Sequence, residues 1–177
     1  YFLWDLGLKV GHATRTVKDC MTQAQADFTV RTTMLENRFL SGAPALHEEF
    51  IASFQKQVMR GTAREFVEAK LSERDERHLR AGQSRYLVEP NIKESKGGLR
   101  DLNTLFWIAR YCYQIDALEE LIKLKILTAD ELRLFRKCDA FLWQVRCHLH
   151  FLTGRAEERL SFDAVSYTHL RAHETEA

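Results

Sequence analysis

Pro90 and the pair Gly97-Gly98 interrupt a chain that otherwise reads as one helix after another from Ala45 onward. Pro90 is one of only two prolines and Gly97-Gly98 the only such pair, so residues 89–102 dictate where helices must stop and start. The proline ring fixes φ and biases Glu89 away from helical backbone. The glycines allow positive φ and close approach of another backbone or of a phosphate. Immediately afterwards Leu99, Leu102, Leu105, Phe106, Ala109 and Tyr113 recur at helical spacing, which predicts a helix with one buried face. Lys93, Lys96 and Arg100 thus sit on a flexible loop entering a helix start, where backbone N–H groups and the helix dipole favour anions. A charged, solvated connector is the alternative reading of the same residues.

Composition sets the outer limits. A chain of 177 residues, 45% hydrophobic and 29% charged, is ordinary for a globular protein. A net charge of +1 gives no sign of a nucleic-acid binder or a membrane-surface binder. No apolar run is long enough to span a bilayer. Cys20, Cys112, Cys138 and Cys147 form no C-x-x-C pair, so they are expected to be reduced thiols of a cytoplasmic protein, three of them in helical patterns and in the core. The chain opens on Tyr1 within an apolar run, as an internal fragment does.

Along the chain, residues 8–15 alternate in part and hold Gly11, which suggests a strand. Thr16 with Asp19 predicts a capped helix start. A second helix is expected from near Asp27 through Leu40, stopped by Gly42, with Pro44 in the first turn of the next. Leu46, Phe50, Phe54 and Val58 suggest that helix's inner face. Thr62 and Glu65 form a capping box for a helix whose polar end, from Glu73 to Arg80, is expected in solvent, with Gly82 as its stop. Arg85 to Val88 reads as extended. Asp116 with Glu119, and Thr128 with Glu131, mark two further starts. The last helix carries Leu132, Phe135, Cys138, Leu142, Val145, Leu149 and Leu152 in threes and fours, and Gly154 closes it. Trp107, Phe141 and Trp143 are expected in the core. His148 and His150 stand two apart on that helix and make no metal pair, and His12 reads as structural. Residues 165–177 lack core periodicity and resemble a translated sequencing adapter, hence a non-native tail.

The string Glu-Pro-Asn-Ile-Lys-Glu-Ser-Lys-Gly-Gly-Leu-Arg-Asp-Leu at 89–102 resembles the signature of the PII-protein uridylyltransferase/uridylyl-removing family. Gly11 to Arg15 followed by Ala26 to Val30 resembles the later half of that family's nucleotidyltransferase domain. More distantly, Asp27-Phe28-Thr29 is similar to a motif of tRNA CCA-adding enzymes and poly(A) polymerases. The resemblance implies a mainly α protein. Residues 1–40 would be the C-terminal part of an α+β nucleotidyltransferase domain, and residues 41–164 a helical bundle-like domain. It implies transfer of UMP from UTP to a tyrosine of the PII nitrogen-regulatory protein, and hydrolytic removal, with Mg²⁺ held by carboxylates. Glutamine would act through domains this chain does not contain. On this reading Asp27 is the candidate catalytic, metal-binding carboxylate, and it is equally an N-cap by position. Arg15, Lys93, Lys96, Gly97, Gly98 and Arg100 are the candidate nucleotide contacts. The family's Gly-Ser and Asp-x-Asp metal motif occurs nowhere in the sequence, so the chain by itself is expected to be inactive. A non-catalytic helical interaction module, and a piece of another nucleotidyltransferase such as a CCA-adding enzyme, stay open, although the latter usually brings a more basic helical half.

Overall fold

In the computed structural model, residues 2–80 and 88–164 are described. All regular elements among them are helical, in agreement with the mainly α expectation. The chain divides into two compact units, Tyr1–Thr62 and Ala63–Ala177.

In the first unit the short helix α1 (Phe2–Asp5) precedes an irregular stretch where a strand was expected. Residues 8–15 have no ladder partner among the described residues. Instead the Trp4 indole donates to the Val10 carbonyl at 3.0 Å, and the His12 ring meets Trp4 edge-on. Helix α2 (Val17–Ala26) begins with the anticipated capping box of Thr16 and Asp19. Helix α3 (Phe28–Leu35) follows after one residue, Asp27, and ends well before Gly42. It stops there because the Asn37 side chain takes up the Met34 carbonyl at 2.7 Å, closing the last turn. Arg31, which the sequence reading passed over, is 3% exposed and ties α3 to the end of α2. Its guanidinium donates to the carbonyls of Ala24 and Gln25, satisfying two otherwise open acceptors. Helix α4 (Pro44–Phe54) starts on Pro44 as expected and runs into a π-helical turn, Gln55–Met59. That turn inserts a residue into the helical register, so Phe54, Val58 and Met59 are buried while Leu46 is exposed.

The second unit is built on α5 (Ala63–Arg80), α6 (Leu99–Tyr113), α7 (Glu120–Lys123) and α8 (Ala129–Thr153). Helices α5 and α6 pack together through Phe66 and Tyr111, whose rings stack at 3.9 Å between centroids. Lys70 is buried beside them, its Nζ over Trp107 and 2.6 Å from Glu73. Leu99, Trp107 and Ala109 are inward as the periodicity predicts, whereas Leu105 and Tyr113 are exposed. The Asp116 start is made differently from expectation. The Glu120 carboxylate accepts from the N–H groups of Asp116 and Ala117, and α7 is a single turn.

Helix α8 has the predicted capping box of Thr128 and Glu131 and ends on Gly154 at φ +64°. Only Leu132 and Leu149 are buried along it, and Phe141 (61% exposed) and Trp143 (43%) are not core residues. A 25-residue helix outlasts the elements it packs against, so its periodicity reports amphipathicity without complete burial. All four cysteines are free and lie in helices, and Cys138 and Cys147 are exposed instead of core. Thr128→Ala removes the side-chain half of the capping box, the Thr128 hydroxyl that accepts from Glu131 N–H, and is expected to cost about 1 kcal/mol of stability, read by chemical denaturation. The expected helix stop at Gly82, the extended segment at 85–87 and the tail at 165–177 lie outside the described residues.

Candidate functional site

The loop that joins α5 to α6 is where most of the candidate residues meet. Within it, residues 89–92 are clamped to the segment after α8. Ile92 donates to the Glu158 carbonyl and Leu160 donates to that of Pro90, each at 2.9 Å, around an antiparallel bridge of Asn91 with Arg159. The Glu89 carboxylate accepts from the Phe162 N–H. Ile92 itself is buried against Leu149 and Ala164.

Beyond the clamp the loop closes on itself. The Asn91 side-chain oxygen accepts from the N–H groups of Lys93 and Glu94, and the Ser95 hydroxyl accepts from Asn91 N–H. Gly97 turns the chain at φ +81°, a conformation a side chain resists. Gly98 is required for a different reason. Its backbone is extended, but a Cβ there would stand 2.7 Å from the Ile92 carbonyl oxygen and 2.9 Å from those of Lys93 and Ser95. The close backbone approach expected of this pair is therefore real, and the approaching backbone is the loop's own.

The start of α6 is already occupied by these groups. Gly98 N–H donates to Ser95, Leu99 to Ile92, Arg100 to Lys93 and Asp101 to Gly98, all through carbonyls at 2.9–3.0 Å. Gly97 N–H donates to Asp101 Oδ2 at 2.7 Å. Every amide from Gly97 to Asp101 thus has an acceptor within the protein.

Asp101 is the electrostatic centre of the loop, and the sequence reading missed it together with its partners. Its Oδ1 accepts from Arg77 Nη2 at 2.5 Å, and His78 Nε2 lies 3.0 Å from both oxygens. Burial by itself pushes the Asp101 carboxyl up, but the Gly97 N–H, His78 and Arg77 together hold it below the usual carboxylate range. Arg77 is 7% exposed despite belonging to the polar run expected in solvent. The detectable signal is spacing: Phe66, Lys70 and Arg77 continue one face of α5 at intervals of four and seven. Glu94 provides a second acidic centre, 3.4 Å from Arg100, 3.7 Å from Lys93 and 3.8 Å from Arg77. Glu158 provides a third, held by the Arg146 fork at 2.7 and 2.9 Å, with Lys93 at 3.9 Å. Lys93 and Arg100 are therefore bound into internal ion pairs. Lys96 is exposed and makes no hydrogen bond or ion pair with a described residue.

The structure brings Lys93, Lys96, Gly97, Gly98 and Arg100 together in the second unit, while Arg15 and Asp27 belong to the first. Arg15 is exposed just before α2. Asp27 is the N-cap of α3, its Oδ1 accepting from Thr29 N–H at 2.6 Å and Val30 N–H at 3.1 Å. A Mg²⁺ ion asks for several oxygen ligands in near-octahedral array. No group of three or more His, Cys, Asp or Glu side chains arranged to hold a metal occurs among the described residues. The residues present do not by themselves make a magnesium site.

The family model of GlnD PII-uridylyltransferase matches residues 65–172, which include this loop and the helices around it. The chain belongs to this family. Among curated relatives, the bifunctional uridylyltransferase/uridylyl-removing enzyme of Rhodopseudomonas palustris is 61% identical over 163 residues. Those of Nitrobacter winogradskyi and Bradyrhizobium diazoefficiens are 62% and 60% identical over the same length. Each match covers 92% of this chain and 18% of the relative, so the chain spans less than a fifth of the uridylyltransferases it resembles. No solved structure matches it. No helix among the described residues is long and apolar enough to cross a membrane.

Proposed function

We propose that this chain is part of a cytoplasmic enzyme that transfers UMP from UTP to a tyrosine of the PII protein and, in another domain, removes it by hydrolysis. The observation that carries this reading is 61% identity sustained over 163 residues of a named bifunctional enzyme. On this reading the Asp-x-Asp carboxylates that hold the Mg²⁺ ions of the transfer reaction lie outside the chain, because the sequence has no such motif, and Asp27 adds a further carboxylate to them. Apart from Asp27, the chain's contribution is positional. The second unit is a helical body whose loop at 89–102 is fixed by internal bonds, and the first supplies Asp27 and Arg15 toward the nucleotide. Glutamine acts through domains beyond it. The chain taken alone is inactive, and the absent metal motif favours a second reading for it in isolation, a helical interaction module.

Asp27 separates chemistry from capping. Asparagine caps a helix as well as aspartate does, whereas alanine does not. In the full-length parent, Asp27→Asn is expected to leave the melting temperature in place and lower UMP transfer at least about 100-fold, with uridylyl removal retained. Asp27→Ala is expected to cost about 1 kcal/mol of stability besides. Undiminished transfer in Asp27→Asn restricts this residue to its cap.

A further inference from the structure

Helix α8 carries two apolar stripes, and the fold covers one of them. On the inner side Leu132 and Leu149 are buried and Phe135 and Leu142 half-buried, toward α6 and Ile92. The second stripe is Leu134, Cys138, Phe141, Val145, His148 and Leu152, spaced alternately by four and three residues. That alternation averages about 3.5 residues, the period of a seam along which another helix packs, and the stripe is about 27 Å long. Val145 touches the Ile92 cluster from its edge, while Leu134 and Phe141 are each 61% exposed and Cys138 and His148 are exposed as well. A continuous apolar stripe left in water marks an interaction site. Charge narrows what fits it. Arg133 is held by Asp130 at 2.6 Å and Arg136 by Glu119. Lys137, one turn from both Leu134 and Phe141, is exposed and has no ion pair among the described residues. A second copy of the chain does not answer that charge. The carboxylates of α8 are Asp130 and Glu131 in its first turn and Asp139 on the side of Leu132. A parallel copy therefore sets Lys137 against Lys137, and an antiparallel one sets it beside His148 and Leu152.

We propose that this stripe is the docking face for an amphipathic helix from another part of the parent protein, apolar at matching intervals and carrying an acidic residue opposite Lys137. More than four-fifths of each relative lies outside the match, so the parent has chain to supply it. The docked helix accounts for Phe141, which the spacing directs to a core and the fold leaves exposed. An acid on it accounts for the unpaired lysine. His148, the one polar group of the stripe besides the small Cys138, fixes the register, as a polar residue within such a seam does. This docking face rests on the reading of the chain as part of a longer enzyme and on none of its transfer chemistry.

Cys138 lies inside the stripe, so its reactivity reports whether the stripe is covered. The full-length parent and the 177-residue chain are treated with iodoacetamide, each native and in denaturant, and modification of Cys138 is followed by mass spectrometry. In the native parent Cys138 is expected to react at least about tenfold more slowly than in denaturant, because a covered thiol is inert. In the native 177-residue chain it is expected to react about as fast as in denaturant. Phe141→Glu and Lys137→Glu in the parent are each expected to restore most of the lost reactivity, whereas Lys137→Arg keeps the protection. Lys137→Glu breaks no ion pair of the described residues, so the 177-residue chain is expected to melt at the same temperature with and without it, which separates lost docking from misfolding. Cys138 as reactive in the native parent as in denaturant overturns the docking face. Protection indifferent to Lys137→Glu overturns the acidic partner. Protection that disappears on dilution, as the parent dissociates to monomers, assigns the stripe to a second copy and overturns the proposal as well. None of these results touches the transfer reading, which is tested by labelling of PII.

Discussion

Asp101→Ala is expected to lower the stability of the second unit by about 3–5 kcal/mol, the range for removing one partner of a buried ion pair. The loss has an identifiable origin. Arg77 is nearly inaccessible, and without Asp101 its nearest carboxylate is Glu94 at 3.8 Å, beyond hydrogen-bond reach. The Gly97 N–H and His78 lose their acceptor in the same step. If the stranded charge is what costs most, Arg77→Met combined with Asp101→Ala should recover a large part of the loss. A double variant no more stable than the sum of the two single losses would show that the carboxylate matters for some other reason.

The same carboxylate sets an acid limit on stability. Because its folded-state pKa lies below the ordinary 3.8, the folded protein holds the proton less readily than the unfolded chain. Its contribution is complete above the ordinary value and is lost as pH falls through the lowered one. Denaturation midpoints compared at neutral pH and progressively below pH 4 should therefore fall for the parent and fall less for Asp101→Asn.

Gly98→Ala is expected to be the second most damaging change, at about 2–3 kcal/mol, the usual cost of forcing atoms into a packed site. The added carbon would press on three carbonyl oxygens, and each of the three is already an acceptor for an amide at the start of α6. Moving them breaks the bonds that seat the helix. Gly97→Ala provides the comparison. Nothing lies within 4 Å of the added carbon, and the cost there is the left-handed backbone alone, about 1–2 kcal/mol. Thermal denaturation followed at helical wavelengths should rank Gly98→Ala below Gly97→Ala, and the reverse order would mean that room is not the constraint at Gly98.

What could be read from the sequence and what could not divide along the range of the interactions. Signals completed within four residues were legible: the boxes of Thr16 with Asp19 and Thr128 with Glu131, Pro44 at a first turn and Gly154 at a helix end. The loop at 89–102 was also legible as the place where the helical pattern must be broken. Arg77 and His78 were not, because their partner Asp101 lies more than twenty residues away and hydrophobicity gives no sign of a buried cation. Residues 8–15 had the composition of a strand, and a strand is defined by a neighbour that the sequence of the stretch does not contain. Phe141 and Trp143 show the same limit on α8, where amphipathic spacing names a face and tertiary contact decides whether anything covers it. For the candidate site, the cations were found by their spacing around the glycines. The carboxylates Glu94, Asp101 and Glu158, which decide which of those cations are engaged, were found only in the fold.

If the chain is a part of a larger uridylyltransferase whose Asp-x-Asp metal ligands lie elsewhere, as proposed, it should fail to catalyse transfer that the whole enzyme performs. The most direct measurement is transfer of labelled UMP from UTP to purified PII protein in the presence of Mg²⁺. The full-length parent and the 177-residue chain would be compared at equal concentration. The parent is expected to label PII and the chain to leave it unlabelled. Labelling by the chain alone, or a full-length parent that never labels PII, would contradict the account.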